Sequence, residues 1–162
     1  MPVREEGPLM HRLVAVLSIP VVMLTSSGIA GKGPSMALIL YAEDDPIMGE
    51  IVRAALGKAG HVVGVVGDGK AALASLRFRR PALLILDMNM PGVGGAEVLD
   101  YVRRDPDLYD LSVLILTARQ SASDEEITLR AGATDYLKKP VDPDKLAVTV
   151  DMILMRDEAR RG

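Results

Sequence analysis

"LLILDMNMPGVGG", residues 83–95, opens on four consecutive aliphatic residues, ends that run at Asp87 and turns at Pro91-Gly92. An apolar run with no polar alternation describes a strand covered on both faces, as in a parallel sheet under helices. In open sheets of that kind the loops at the carboxyl ends of the strands converge on one crevice. A carboxylate where such a strand runs out is therefore a candidate site residue, and Asp87 is the first.

Working outward, the same kind of short apolar run recurs as "ALILYA" (37–42), "HVVGVV" (61–66), "SVLILT" (112–117) and "TDYLKK" (134–139), beside "ALLILD" (82–87). The segments 45–60, 68–80, 94–105, 121–133 and 142–162 carry helical periodicity with helix punctuation: Asp-Pro or Asp-Gly or Ser at their starts, Gly or basic residues at their ends. The pattern predicts an α/β fold, a doubly wound five-stranded parallel sheet of (βα)₅ order. No internal repeat or low-complexity tract interrupts it.

The chain has 162 residues, 49% hydrophobic and 25% charged, enough for one domain with a substantial core. A net charge of −3 provides no basic excess to hold a nucleic acid, so none is expected as a partner. With no cysteine and only His11 and His61, thiolate and histidine metal centres are excluded by ligand count. His61 reads as a surface residue with no special task.

Residues 1–35 differ from the rest. The apolar stretch 13–24, "LVAVLSIPVVML", is broken by Pro20 and shorter than the roughly 20 residues a spanning helix needs. It resembles the apolar region of a secretory signal, although Glu5 and Glu6 offset the nearby positive charge. The favoured expectation is that Met36 is the natural start and residues 1–35 are a translated upstream stretch or an added extension. "GIAGKGPS" (28–35) fails as a phosphate-binding loop, because Ser26 and Gly33 stand where Gly and a hydroxyl residue are required. The expected organisation is thus an N-terminal extension (1–35), one domain (36–158) and a short tail (159–162).

At the carboxyl edge, strand 1 ends in Glu43-Asp44-Asp45, strand 3 in Asp87, strand 4 in Thr117-Ala118 and strand 5 in Lys138-Lys139-Pro140. Crowded carboxylates raise one another's pKa unless a cation lies among them. A hard divalent ion with oxygen ligands answers the crowding, and Mg²⁺ suits it because it takes few protein carboxylates and keeps exchangeable waters. Asp45, just before Pro46, reads as the cap of the first helix.

Residues 36–158 resemble the receiver domain of two-component response regulators, the family that includes the bacterial chemotaxis signalling protein. The resemblance rests on Glu43-Asp44, Asp87 43 residues after Asp44, Thr117 30 residues later, and Lys139-Pro140 22 residues beyond that, with "DGKAAL" (68–73), "MPG" (90–92) and "AGATDYLKKP" (131–140). It implies the flavodoxin-like receiver fold, with Asp87 as phosphoacceptor and Asp44, Asp87 and the Asn89 backbone carbonyl as ligands of Mg²⁺, for which Mn²⁺ could substitute. Glu43 would act through a bound water. Lys139, the Thr117 hydroxyl and the Ala118 N–H would neutralise and bind the phosphoryl group. Thr117 and Tyr136 would form the switch, Asn89 and Arg119 would tune the lifetime of the aspartyl phosphate, and Lys139-Pro140 would be a cis peptide. Val141 stands where the family has Phe.

The implied protein is a cytoplasmic signalling domain, not an enzyme with an external substrate: it catalyses only its own phosphorylation and dephosphorylation. Its donor would be a sensor histidine kinase or a histidine phosphotransfer protein. With 22 residues after Pro140, the expectation is a stand-alone receiver acting through protein contact. On the last helix, Leu146, Val150, Ile153 and Leu154 form one apolar face, while Val148, Met152 and Met155 form another, which would meet a downstream protein or a second copy.

Three rivals are weighed. A phosphatase of the haloacid dehalogenase type needs a second Asp where Asn89 stands, and a flavin- or nucleotide-binding module needs a Ser/Thr/Gly-rich loop where "EDDPIMG" stands. A degenerate receiver, a contact or dimerisation module independent of phosphorylation, would have no need of the complete site.

Overall fold

A computed structural model describes residues 35–119 and 121–162, all within the compact unit Gly33–Gly162. The extension and its apolar stretch 13–24 lie outside the described residues, apart from Ser35. Five strands, β1 (Leu38–Ala42), β2 (Val62–Val66), β3 (Leu83–Asp87), β4 (Ser112–Thr117) and β5 (Asp135–Lys138), alternate with five helices. The helices are α1 (Pro46–Lys58), α2 (Gly69–Phe78), α3 (Gly95–Arg104), α4 (Ala122–Arg130) and α5 (Pro143–Arg161). All strand pairs are parallel, in the order β2-β1-β3-β4-β5. The order reverses direction between β1 and β3, so their carboxyl ends flank the crevice where such sheets place their sites.

Side chains alternate across the pleat, and this divides the core in two. Ile39, Tyr41, Leu83, Ile85, Leu114, Leu116 and Leu137 face one side, under Val52 and Leu56 of α1 and Leu146, Val150, Ile153 and Leu154 of α5. Leu40, Ala42, Leu84, Leu86, Val113, Ile115 and Tyr136 face the other, under residues of α2 and α3. The central strands β3 and β4 are buried throughout, which explains their unbroken apolar sequences.

The helix starts follow their caps. The Asp45 carboxylate accepts from the Ile47 and Met48 N–H groups at 2.8 and 3.4 Å, and Asp142 does the same for Asp144 and Lys145 at 2.8 and 3.0 Å. Pro46 and Pro143 each occupy the first turn, where a missing N–H costs nothing. Asp68 and Ser121 cap α2 and α4 in the same way.

Two details differ from the sequence reading. The strand β2 is largely exposed despite its apolar sequence, because it is the sheet edge beside β1 and has no strand beyond it. His61 is buried, not superficial: its Nδ1 accepts from the Ala37 N–H at 3.3 Å and its Nε2 bonds Asp151 Oδ1 at 2.9 Å, tying β1 to α5. The last helix, α5, runs through Arg161, within the helical segment 142–162 that the sequence outlines, because Ala and Arg are good helix formers and the terminal arginines oppose the negative end of the helix dipole.

Glycines make the packing testable. A Cβ on Gly69 would meet the Val93 carbonyl oxygen at 2.1 Å, whereas one on Gly57 in α1 would meet nothing within 4 Å. Gly69→Ala should cost about 1–3 kcal/mol by overpacking, and Gly57→Ala should gain up to about 1 kcal/mol from helix propensity. Urea denaturation of the two variants beside the parent checks both signs.

Candidate functional site

The pleat that divides the core also builds the site. Ile39, Tyr41 and Glu43 follow one another at every second residue, as do Leu83, Ile85 and Asp87. The ladder extends past the assigned strands, since the Glu43 N–H bonds the Val66 carbonyl at 2.9 Å and the Lys139 N–H bonds the Thr117 carbonyl at 2.8 Å. Glu43, Asp87 and Lys139 therefore emerge on the same side of the sheet as Tyr41 and Leu137, while Thr117 continues the opposite side with Ile115 and Tyr136.

Carboxylate oxygens of Glu43, Asp44 and Asp87 all lie within 4.8 Å of one another. Glu43 and Asp87 are buried, and Asp44 is exposed at the rim. The Lys139 ammonium is bonded to Glu43 Oε2 and stands 3.6 Å from Asp87 Oδ2. Asp87 Oδ1 accepts from the Asn89 N–H at 3.2 Å, which fixes the carboxylate's orientation. Glu43 is held at both oxygens: Oε1 accepts from the Asp45 N–H at 3.1 Å, and Oε2 accepts from the Tyr41 hydroxyl at 2.6 Å as well as from Lys139.

The two buried carboxyls are driven apart. Burial lifts Asp87 above the usual aspartate range, reinforced by the charges of Glu43 and Asp44 and opposed by the Asn89 N–H and Lys139. Burial works in the same direction on Glu43 but is outweighed by hydrogen bonds from Lys139, Tyr41 and the Asp45 N–H, so Glu43 lies below its ordinary value. The Tyr41 phenol is raised far above its usual range, first by burial and then by its bond to Glu43.

Three carboxylates against one ammonium leave a deficit of two positive charges. The donors are all hard oxygens within 4.8 Å of one another, and Mg²⁺ takes oxygen ligands. Among the described residues, the cluster fits a small divalent ion in charge and ligand type.

On the other side of the sheet, Thr117 is buried and its Oγ1 accepts from the Arg119 N–H at 3.2 Å. Tyr136 is buried too, its hydroxyl donating to the Arg119 carbonyl at 2.9 Å, so the loop after β4 is held from two sides. Asn89 is exposed in the loop after β3, and Ala118 and Arg119 are exposed in the loop after β4. The Arg119 guanidinium lies 3.9 Å from Asp124 on α4. The Lys139-Pro140 peptide is cis. Gly95 backs the cluster so closely that a Cβ there would meet the Asp87 carbonyl oxygen at 2.4 Å.

Tyr41 had no place in the sequence reading of the site. Its signal was available: a lone phenol in an aliphatic strand, two residues before an acid and hence on the same face.

A profile of the response regulator receiver domain family matches residues 39–151. The DNA-binding response regulator MtrA of Mycolicibacterium smegmatis is 36% identical over 120 residues, covering 74% of this chain and 51% of that protein. The transcriptional regulatory protein AfsQ1 of Streptomyces coelicolor is 36% identical over 123 residues, covering 76% and 53%. This chain thus spans about half the length of the curated relatives it matches. Among solved structures, the chemotaxis protein CheY4 of Vibrio cholerae superimposes with a TM-score of 0.69 at 31% identity, covering 74% of this chain and 99% of that one. The receiver domain of Francisella response regulator 1452 gives a TM-score of 0.71 at 27% identity, covering 75% and 98%.

Because the folded state holds the Asp87 carboxyl above its unfolded pKa, its negative charge weakens the fold at neutral pH, where the group is ionised in the unfolded chain. Asp87→Asn should raise the urea midpoint at pH 7 in the absence of divalent ions. With excess Mg²⁺ present the advantage should shrink or reverse, since the parent gains the larger binding contribution.

Proposed function

We infer that this chain, which belongs to the response regulator receiver family, accepts a phosphoryl group on Asp87 from a phosphohistidine and signals through a conformational switch. The observation that carries the reading is the arrangement around one buried carboxylate: two acids, an ammonium 3.6 Å away, and an orienting backbone N–H. The rival phosphatase reading needs a second carboxylate where the exposed Asn89 stands.

In this reading an Asp87 carboxylate oxygen attacks the donor's phosphorus, the P–N bond breaks, and the imidazole leaves. Phosphoryl transfer demands little covalent chemistry of the protein and much positioning and charge neutralisation. Asp44, Asp87 and the Asn89 carbonyl would hold Mg²⁺, with Glu43 reaching it through water. Bound there, Mg²⁺ supplies positive charge to the phosphoryl oxygens. Lys139 supplies it from the other side, turning from Glu43 toward the new anion.

The Thr117 hydroxyl and the Ala118 N–H would then bind a phosphoryl oxygen. The Thr117 Oγ1 now engages the Arg119 N–H, and Tyr136 engages the carbonyl of the same residue, so a shift of Thr117 is felt directly by the Tyr136 ring. That shared loop supports the switch assignment. Arg119 and Asn89, exposed beside the acceptor, would govern access of hydrolytic water.

The donor would be a histidine kinase or phosphotransfer protein in the cytoplasm. Among the described residues no helix is long and apolar enough to cross a membrane. On α5, Leu146, Val150, Ile153 and Leu154 are buried, while Val148, Met152 and Met155 are 59, 54 and 46% exposed. That second face supports contact with a downstream protein or a second copy; light scattering should show Met152→Asp with a lower mass than the parent if a dimer forms there, and equal masses would remove the dimer. The DNA binding named for MtrA belongs to that protein, of which this chain matches half.

Incubation with Mg²⁺ and phosphoramidate, followed by intact-protein mass, tests the main reading. The parent should gain one phosphoryl group, and Asp87→Asn or removal of Mg²⁺ should abolish the gain. Absence of any gain in the parent would favour the contact-only module. Arg119→Ala should remain competent for phosphorylation while its dephosphorylation rate changes by several-fold, measured as decay of the phosphorylated mass.

A further inference from the structure

Tyr41 is the one polar side chain of β1, and it is fully buried among Ile39, Val52, Ile85, Leu116 and their neighbours. Among the described residues its hydroxyl donates to one acceptor, Glu43 Oε2 at 2.6 Å. That oxygen is also the atom that engages Lys139, whose other carboxylate neighbour is Asp87 Oδ2 at 3.6 Å. One atom of Glu43 thus joins a phenol rooted in the core to the cation of the site.

We propose that Tyr41 is a positioning residue for the phosphoacceptor site, acting through Glu43 to keep that carboxylate in place and to limit its hold on Lys139. The inference rests on the receiver reading above. Two features of the geometry carry it. First, Tyr41 and Glu43 share a face because they are two residues apart on a continuing strand, so the hydrogen bond needs no rearrangement of the backbone. Second, the other Glu43 oxygen is tied to the Asp45 N–H, so the phenol completes a three-point clamp on a carboxylate that has almost no solvent to turn toward.

Without the hydroxyl, Oε2 would lose a donor in a dry setting and Glu43 would lean on Lys139 as its remaining charge-assisted partner. The ammonium would then be less available to Asp87 and to an incoming phosphoryl group. The carboxylate would also lose the fixed orientation from which it reaches a hydrated ion. Groups that orient a ligand from behind typically matter by tenfold or more in affinity or activity.

The test is a double-mutant cycle of Tyr41→Phe and Glu43→Ala, read by Mg²⁺ titration calorimetry and by the phosphorylation rate with phosphoramidate at saturating Mg²⁺. Phenylalanine keeps the ring that fills the core. Tyr41→Phe alone should weaken Mg²⁺ binding and slow phosphorylation by about tenfold. In the Glu43→Ala background the same change should alter neither by more than about 1.5-fold, because the group it acts through is gone. Equal losses in both backgrounds would mean that Tyr41 serves general packing, and no loss in the Glu43-containing protein would also overturn the proposal. Should Glu43→Ala not fold by circular dichroism, the chemical shift of the ¹⁵N-labelled Lys139 ammonium in Tyr41→Phe replaces the cycle; a shift unchanged from the parent overturns the proposal. A parent that neither binds Mg²⁺ nor gains a phosphoryl group defeats the receiver reading itself, whereas a competent parent with an equally competent Tyr41→Phe defeats only the role of Tyr41.

Discussion

Mutual repulsion among Glu43, Asp44 and Asp87, only partly offset by Lys139, is the constraint around which the functional edge of this fold is organised. Burying charge that is not fully compensated weakens a fold, and a sheet dense with aliphatic side chains is what tolerates it. The four central and flanking strands β1, β3, β4 and β5 anchor the acids, the hydroxyl and the amine from below. Because β1 and β3 are neighbours in the sheet, the acids at their two carboxyl ends meet without a long connection. In the proposed reading, that unfavourable electrostatics would favour a cation, and then an anion carried to it.

The pleat gives the edge two sides with different tasks. Glu43, Asp87 and Lys139 continue the rows that pack under α1 and α5, whereas Thr117 and Tyr136 continue the rows under α2 and α3. In the proposed reading, chemistry and conformational response would lie on opposite faces of one sheet, joined by the strand ends. The Arg119 backbone is the junction, with its N–H on Thr117 and its carbonyl on Tyr136. A change in what Thr117 binds has a short path to the far side.

Much of this was legible in the residues, and the reasons are specific. Unbroken aliphatic runs in β3 and β4 announced strands covered on both sides, and Asp45, Asp68, Ser121 and Asp142 announced helix starts by a local hydrogen bond that needs no tertiary information. The acids and the amine could be placed at one edge because parallel strands align their carboxyl ends. Edge exposure was hidden, since β2 is as apolar as its neighbours and only the strand order shows that it has one partner. His61 was misread because its burial depends on Ala37 and Asp151, 24 and 90 residues away. The role of the Tyr41 hydroxyl is hidden in the sequence because strand propensity alone accounts for a tyrosine at that position.

If the acidic cluster is a cation site built by β1 and β3, Mg²⁺ must bind there before any phosphoryl group arrives. Backbone ¹H–¹⁵N NMR during a Mg²⁺ titration measures that without reference to phosphorylation. The largest shifts should fall at residues 43–45, 87–89, 117–119 and 139, and should saturate with a single affinity that Asp44→Asn weakens sharply. Shifts spread over other acidic surface such as Asp124–Glu126, or a response unchanged by Asp44→Asn, would contradict it.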